Sequence, residues 1–291
     1  MNYQRLGRSL DIIIDEPQTI SDLFACWHLS RKTIHLLKQY KGYQLNHQFV
    51  PVETLMKPGD HLLIDAYGSD DHMYEPVFED IDVVYEDDIL LIVNKPAGLP
   101  VFPDHRGDTH SLANHVAGYY VLNGEDLPVR FIHRLDVDTS GLIIFVKCSL
   151  LQSYMDQLLA KHLLEKRYLA LVAGTFKDKQ VHTIKKPIGR DRHVSGKMRI
   201  AINGQQAITK YQCLQNYEDH ALVECLLITG RRHQIRVHMA SIDHPILGDQ
   251  LYNLHPGKRK RQALMAYLLK FKHPVTQETV SVTLDVPDDW S

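Results

Sequence analysis

Between Phe131 and Leu142 the chain reads Phe131-Ile132-His133-Arg134-Leu135-Asp136-Val137-Asp138-Thr139-Ser140-Gly141-Leu142, and an apolar strand follows the charged and hydroxyl residues at once. Asp136 stands close to an arginine in sequence, which favours its ionised form wherever the two side chains meet. An ionised carboxylate on a loop ahead of a buried strand can serve as nucleophile or base. The same run also suits a plain turn whose Asp and Thr bond their own backbone. A second run, Thr229-Gly230-Arg231-Arg232-His233-Gln234-Ile235-Arg236-Val237-His238, interleaves three arginines and two histidines with Ile235, Val237 and Met239. One face is then apolar and the other cationic. His233 and His238 are five apart, the wrong interval for one helical face around zinc, and no Cys or carboxylate stands at ligand spacing. No metal is expected. A cationic site for phosphate, or for a carboxylate such as Asp136, fits these residue types.

The elements that must carry these runs divide the chain in three. Residues 1–68 read as a small αα-β module. Thr19 and Asp22 give a capping-box-like start, with Ile20, Leu23, Phe24 and Trp27 at helical spacing. Ser30 caps a second helix to about Tyr40 with a basic side of Arg31, Lys32, His35 and Lys38, and short strands follow at Tyr43–Asn46 and His61–Ala66. Residues 69–80 read as an acidic linker with few cohesive contacts. Residues 81–291 read as the catalytic domain, with strands at Val83–Tyr85, Ile89–Asn94, Leu142–Lys147, Tyr168–Ala173, Ile200–Ile202, Gln206–Gln212, Ala221–Leu227 and Val280–Leu284. An amphipathic helix is expected over Leu150–Leu164. The class is α+β with a mostly antiparallel, mixed sheet. Regular βαβ alternation, G-x-G-x-x-G and a Walker loop are all absent, which argues against dinucleotide enzymes and NTPases.

The 291 residues are 44% hydrophobic and 23% charged, close to the globular average, which excludes collagen-like, coiled-coil and disordered chains. No apolar run is long enough to span a membrane, and the first twenty residues lack the order of a signal peptide. Four cysteines without C-x-x-C pairing read as reduced, mostly buried thiols of a cytosolic protein. The formal charge of −2 conceals segregation. Asp70 to Asp88 holds nine acidic residues and no Lys or Arg, so the remainder carries +7; Lys185 to Arg261 alone carries +8. Such a chain can present a basic face to a phosphate backbone.

Taken together, the runs resemble the RluA-type pseudouridine synthases. H-R-L-D-x-x-T-S-G-L stands intact from His133 to Leu142. Asp88-Ile89-Leu90-Leu91-Ile92-Val93-Asn94-Lys95-Pro96-Ala97-Gly98 resembles that family's first motif, and Lys166-Arg167-Tyr168-Leu169-Ala170-Leu171-Val172-Ala173-Gly174 its tyrosine motif. T-G-R-x-H-Q-I-R-V-H is similar to the arginine motif, continued by His244-Pro245-Ile246-Leu247-Gly248-Asp249 and Leu251-Tyr252. Arg261-Gln262-Ala263-Leu264-Met265-Ala266, with His273-Pro274 beyond, resembles the last. The order holds over roughly residues 81–285. The front module resembles the small RNA-binding fold often placed ahead of these synthases. Two departures stand out. Tyr43-Gln44-Leu45-Asn46-His47 lacks the usual glycine, and Met265 replaces a histidine, losing any polar role there.

The resemblance implies an isomerase that converts uridine to pseudouridine in structured ribosomal or transfer RNA without cofactor or nucleotide; no membrane partner is expected, and a monomer is expected. Asp136 would be the essential carboxylate, as nucleophile or as base, with Arg236 pairing it and Tyr168 stacking on the base. Arg134 would fill the space left by the flipped base, His133 would hold the turn and Leu264 would pack on the uracil. Arg231, His233 and Gln234 join them as substrate-binding candidates. Lys185, Lys186, Arg190, Arg192, Lys258, Arg259, Lys260 and Arg261 are the expected phosphate contacts. The rivals are a non-catalytic RNA-binding factor, against which the intact Asp136, Tyr168 and Arg236 speak, and another carboxylate enzyme acting on bases. A zinc deaminase would need H-x-E and P-C-x-x-C, which are absent.

Overall fold

A computed structural model describes residues 1–68, 73–105 and 107–290. The front part opens with a hairpin, β1 (Asn2–Leu6) and β2 (Ser9–Ile13), followed by β3 (Gln18–Thr19), α1 (Ile20–Cys26), α2 (Arg31–Gln39), β4 (Tyr43–Leu45), β5 (Leu55–Met56) and β6 (His61–Asp65). Its sheet runs β1-β2-β6-β4. The helices start where the sequence placed them: Thr19 and Asp22 form a reciprocal capping box, and the Ser30 hydroxyl accepts from the Thr33 N–H. The αα-β reading missed the opening hairpin. Its signal is the alternation of Leu10, Ile12 and Ile14, all buried. The missing glycine after β4 is no defect. Asn46 and His47 both take left-handed backbone, φ 49° and 67°, and Leu45 and Gln48 exchange both backbone hydrogen bonds, the pattern of a two-residue hairpin turn. The Asn46 side chain bonds Asp60 and the His61 N–H across it.

The second part contains β7 (Asp82–Glu86), β8 (Leu90–Lys95), α3 (Leu112–Leu122), β9 (Ser140–Val146), α4 (Gln152–Ala160), β10 (Glu165–Ala173), β11 (Val181–Lys185), β12 (Ile188–Arg190), β13 (Met198–Ile200), β14 (Ile208–Asn216), β15 (His220–Leu227), α5 (Gln234–Ala240), β16 (Leu264–Lys272) and β17 (Thr279–Thr283). A nine-stranded sheet runs β11-β14-β15-β10-β16-β9-β8-β7, with β17 also paired to β16. The expected α+β class with a mixed, mostly antiparallel sheet is what the structure shows. The helix expected over Leu150–Leu164 is shorter, a single 3-10 turn at Ser149–Leu151 leading into α4. The run from Gln234 is helical rather than alternating, and Gln234, Ile235, Val237, His238 and Met239 are all buried.

The sheet divides at β16, and this division makes room for the site. One edge of β16 pairs with β10. The other pairs in parallel with the first two residues of β9, through Met265–Ser140 and Ala266–Gly141, and then with β17. Gly141 allows the close approach: its φ is +112°, and a Cβ there would lie on the Ala266 carbonyl. The loop of residues 133–139 therefore emerges at the point where β9 and β16 part.

The expectation of few contacts between the front module and the rest is corrected. Residues 69–72 of the expected linker lie outside the described residues. Trp27 is fully buried and its indole N–H donates to the Pro274 carbonyl at 3.1 Å. Tyr3 stacks on His273 at 5.5 Å, Arg5 pairs with Glu125 at 2.9 Å, and Ala66 accepts from the Ser149 hydroxyl and the Leu150 N–H. Apolar side chains of both parts form one continuous core, which buries more surface than a tether would.

Candidate active site

Asp136 sits in a turn closed by the Thr139 N–H on the Asp136 carbonyl, so the backbone is the turn its sequence suggested. Its side chain goes elsewhere. Asp136 Oδ2 accepts from Arg236 Nη1 at 3.0 Å, with Arg236 coming from α5. Arg236 in turn donates through Nε and Nη2 to both oxygens of Asp249, at 2.8 and 2.9 Å. The Asp249 side chain is 0% exposed and also accepts the Leu251 and Tyr252 N–H groups. Burial opposes the charge on Arg236, but the two carboxylates outweigh it and hold its proton more firmly than usual. A bidentate grip fixes the plane of the guanidinium, and one remaining nitrogen aims at Asp136.

Around this pair lies an open cavity of about 620 Å³, of a size that takes a small ligand. Tyr168 on β10 borders it, as does Leu264 at the start of β16. Tyr168 is buried, and burial together with the Asp136 charge raises its pKa, so the phenol keeps its proton. His133 borders the same space. Its Nε2 accepts the Ile144 N–H at 3.4 Å, its Nδ1 has no partner among the described residues, and burial with the nearby Lys166 charge pushes its pKa down to about 3. His233, in left-handed backbone ahead of α5, places Nε2 3.8 Å from Asp136 and bonds the Tyr252 hydroxyl through Nδ1 at 2.8 Å. Burial takes it down to about 4 despite the pull of Asp136, so it is neutral at pH 7. Arg134 is exposed, with its guanidinium 5.9 Å from the Phe102 ring centre at the cavity edge.

The structure thus brings Asp136, Tyr168, Arg236, Arg134, His133, Leu264, Arg231 and His233 to one cavity. Gln234 is corrected. It borders the space, but all four hydrogen-bonding positions of its amide are taken, by Thr229, the Arg231 N–H, the Ile208 carbonyl and Thr209. These bonds tie the Thr229–Arg231 loop to β14 and leave no position of the amide unpaired. None of the eight expected phosphate contacts borders the cavity. Lys185, Arg190, Arg192, Lys258 and Lys260 are exposed and available. Lys186 is committed to Ser241, Arg259 to Asp289, and Arg261 bonds the Ala97 carbonyl and lies 3.6 Å from Asp138. Met265 points away, into a separate apolar group with Leu169, Leu171 and Trp290, so the lost histidine leaves the cavity untouched.

Three supporting residues were quoted in the motifs without a role. Lys95 is 0% exposed, and its ammonium donates to the Pro96, Leu99 and Val137 carbonyls, clamping the first motif to the residue after Asp136. Asp249 orients Arg236. Thr139 accepts from Gln262 Nε2 at 2.7 Å, tying the loop to the segment before β16. A charged residue ending the apolar run Ile89–Val93 was the available signal for Lys95. Nothing local in the sequence links Asp249 to Arg236.

Comparison with known proteins identifies the family. Residues 89–241 match the family described as RNA pseudouridylate synthase, and residues 10–62 match the N-terminal domain of the ribosomal pseudouridine synthase RluD. The chain is 38% identical over 97% of its length to the RNA pseudouridine synthase YhcT of Bacillus subtilis (strain 168), covering 95% of that protein. It is 32% identical over 98% of its length to ribosomal large subunit pseudouridine synthase D of Vibrio cholerae serotype O1, covering 90% of it. Among solved structures, human RNA pseudouridylate synthase domain containing 1 superposes with a TM-score of 0.61 at 25% identity, over 73% of this chain and 86% of that one.

Proposed function

The chain belongs to the RNA pseudouridine synthase family, and from that premise we propose that it isomerises specific uridines of large-subunit ribosomal RNA in the cytoplasm, as a monomer. The relatives named for the ribosomal large subunit favour ribosomal over transfer RNA as substrate. The observation that carries the catalytic reading is the Asp249–Arg236–Asp136 array opening on a cavity bordered by Tyr168 and Leu264. The reaction breaks the bond from uracil N1 to the ribose and forms one from C5. The C5 proton is lost, N1 gains one, and no electrons are exchanged.

In this reading Asp136 attacks the sugar or removes a ribose proton while Arg236 holds its position. Tyr168, kept as a phenol, is a stacking platform and hydrogen-bond donor, and Leu264 packs on the base. The target nucleotide leaves its stack to enter, at a cost of about a few kcal/mol, and exposed Arg134 stands where it can fill the gap. The exposed cations Lys185, Arg190, Arg192, Lys258 and Lys260 meet phosphates, and the basic side of α2 supplies a second contact from the front module. The test is Asp136→Asn in a strain whose own copy is deleted, with pseudouridines mapped in ribosomal and transfer RNA. Pseudouridine should disappear from defined large-subunit positions on deletion and fail to return with the variant, while RNA affinity stays within a few fold. Return of the modification with Asp136→Asn would overturn the catalytic assignment.

A further inference from the structure

Three lysines are buried in the catalytic part, and two of them are served. Lys95 has its three carbonyls, and Lys147 has Glu86 at 2.6 Å and Glu125 at 3.0 Å. Lys166 is different. It is 9% exposed, its ammonium makes no ion pair or hydrogen bond among the described residues, and the nitrogen itself is not sealed from the cavity. An ammonium at the wall of an open cavity, largely desolvated and without a protein counter-charge, is a place for an anion.

The setting of Lys166 says what that counter-charge is. Side chains two apart on a strand share a face, so β10 sets Lys166 beside Tyr168, and both border the Asp136 cavity. Opposite Lys166 stands Gly230, where even an added Cβ would lie 3.8 Å from the ammonium, so no side chain closes the approach. Arg231 and Arg232 follow on the same loop, exposed and bordering the same space. Of the three carboxylates that border the cavity, Asp136 is held by Arg236 and Asp138 by Arg261, while Asp104 stands exposed and exerts no pull on Lys166. Burial takes Lys166 down to about 8, which leaves it a cation at neutral pH. A neutral uracil carbonyl would leave this end of the cavity positive. A phosphodiester would not.

We propose that Lys166 is a substrate-binding residue, whose ammonium takes, with Arg231 and Arg232 at the rim, a phosphodiester group flanking the uridine seated between Asp136 and Tyr168. This rests on the uridine-isomerising reading of the site and adds to it a fixed point on the nucleic-acid backbone inside the cavity.

The probe is the trinucleotide UUU, intact or with either of its two linkages made a neutral methylphosphonate, bound to the full chain carrying Asp136→Asn so that binding alone is read. Adding Lys166→Met should weaken intact UUU by roughly tenfold, the order expected of a charge-assisted hydrogen bond. Neutralising one particular linkage should cost the same factor with Lys166 present and nothing further with Met. The unmutated lysine gives a readout that does not depend on how the variant folds. The Lys166 ammonium nitrogen resonance should titrate near 8 in the free protein and at clearly higher pH with UUU bound. A titration that UUU leaves unmoved, or losses from Lys166→Met and from methylphosphonate that multiply at both linkages, overturns the proposal. Turnover by Asp136→Asn itself would instead refute the parent reading, and would leave the Lys166 result standing.

Discussion

Asp249 holds Arg236 by both carboxylate oxygens, at 2.8 and 2.9 Å, and is itself fully buried, so the arginine reaches Asp136 from a fixed base. Asp249 lies 13 residues beyond Arg236 and touches no reacting group. In the proposed mechanism its effect on chemistry would run through the position of one guanidinium nitrogen.

Asp249→Asn should therefore lower the single-turnover rate at saturating RNA by about 100-fold, the penalty expected for misplacing a catalytic group by an ångström or so. RNA affinity should hold within a few fold. Because one partner of a buried ion pair is orphaned, urea unfolding should show a loss of about 3 kcal/mol. A rate that survives in protein so destabilised would remove Asp249 from the positioning of Asp136.

Gly141→Ala tests the division of the sheet. The backbone there has φ +112°, and a methyl group would fall on the Ala266 carbonyl oxygen, so β9 and β16 must separate where the 133–139 loop emerges. We expect a loss of roughly 3 kcal/mol or more, from strain at positive φ together with overpacking. The variant should also be inactive at temperatures where it remains folded. Unaltered kinetics in the folded variant would show that the parallel pairing does not set the position of Asp136.

His133 makes the protein sensitive to acid. Burial, and then the charge of Lys166, lowers its pKa to about 3, against about 6.5 in an unfolded chain. Between those values the unfolded state binds the extra proton, so stability rises with pH and is lost on acidification. From pH 6.5 to 4.5 the contribution is about 2–3 kcal/mol. His133→Gln, which can still accept the Ile144 N–H, should lose that much less stability over the same interval in paired urea titrations. Parallel curves for the two proteins would mean that His133 charges in the native state.

Much of the site was legible because its chemistry is local in sequence. His133 to Leu142 is one loop and one strand, and Thr229 to His238 is one loop and one helix. Residue types alone left the arginines of the second run either a phosphate or a carboxylate such as Asp136 to meet, and the pairing with Arg236 came from the family resemblance. What local pattern could not supply was the long-range pairing: Asp249 beneath Arg236, Lys95 across to Val137, Gln262 on Thr139. The helical state of Gln234–Ala240 was hidden because Ile235, Val237 and Met239 alternate like a strand, while burial of Gln234 and His238 completes a helix buried on most sides. The opening hairpin went unread because β1 alternates only weakly between exposed and half-buried positions. The front module's attachment was misjudged for a related reason. Trp27 and Tyr3 look like ordinary core residues of a small module, and nothing near them in sequence names Pro274 or His273 as their partners.

That attachment carries the last prediction. Removing residues 1–68 strips the Trp27 indole from the Pro274 carbonyl and the Tyr3 ring from His273. It also takes Arg5 from Glu125, and the Ala66 carbonyl from the Ser149 hydroxyl and the Leu150 N–H. Apolar side chains of the second part that complete the shared core, Leu150 and Tyr154 among them, would lose their cover. A chain of residues 69–291 should accordingly aggregate, or melt well below the full protein. Trp27→Ala in the full chain isolates one contact and should cost about 3–5 kcal/mol, the range for truncating a buried tryptophan. Its single-turnover rate should persist at temperatures where it is folded, since Trp27 does not line the cavity. A shortened chain that stays monomeric and keeps both the melting temperature and the rate of the full protein would mean that the module is only an RNA tether. The buried contacts at Pro274 and His273 would then add nothing to the stability of the catalytic part.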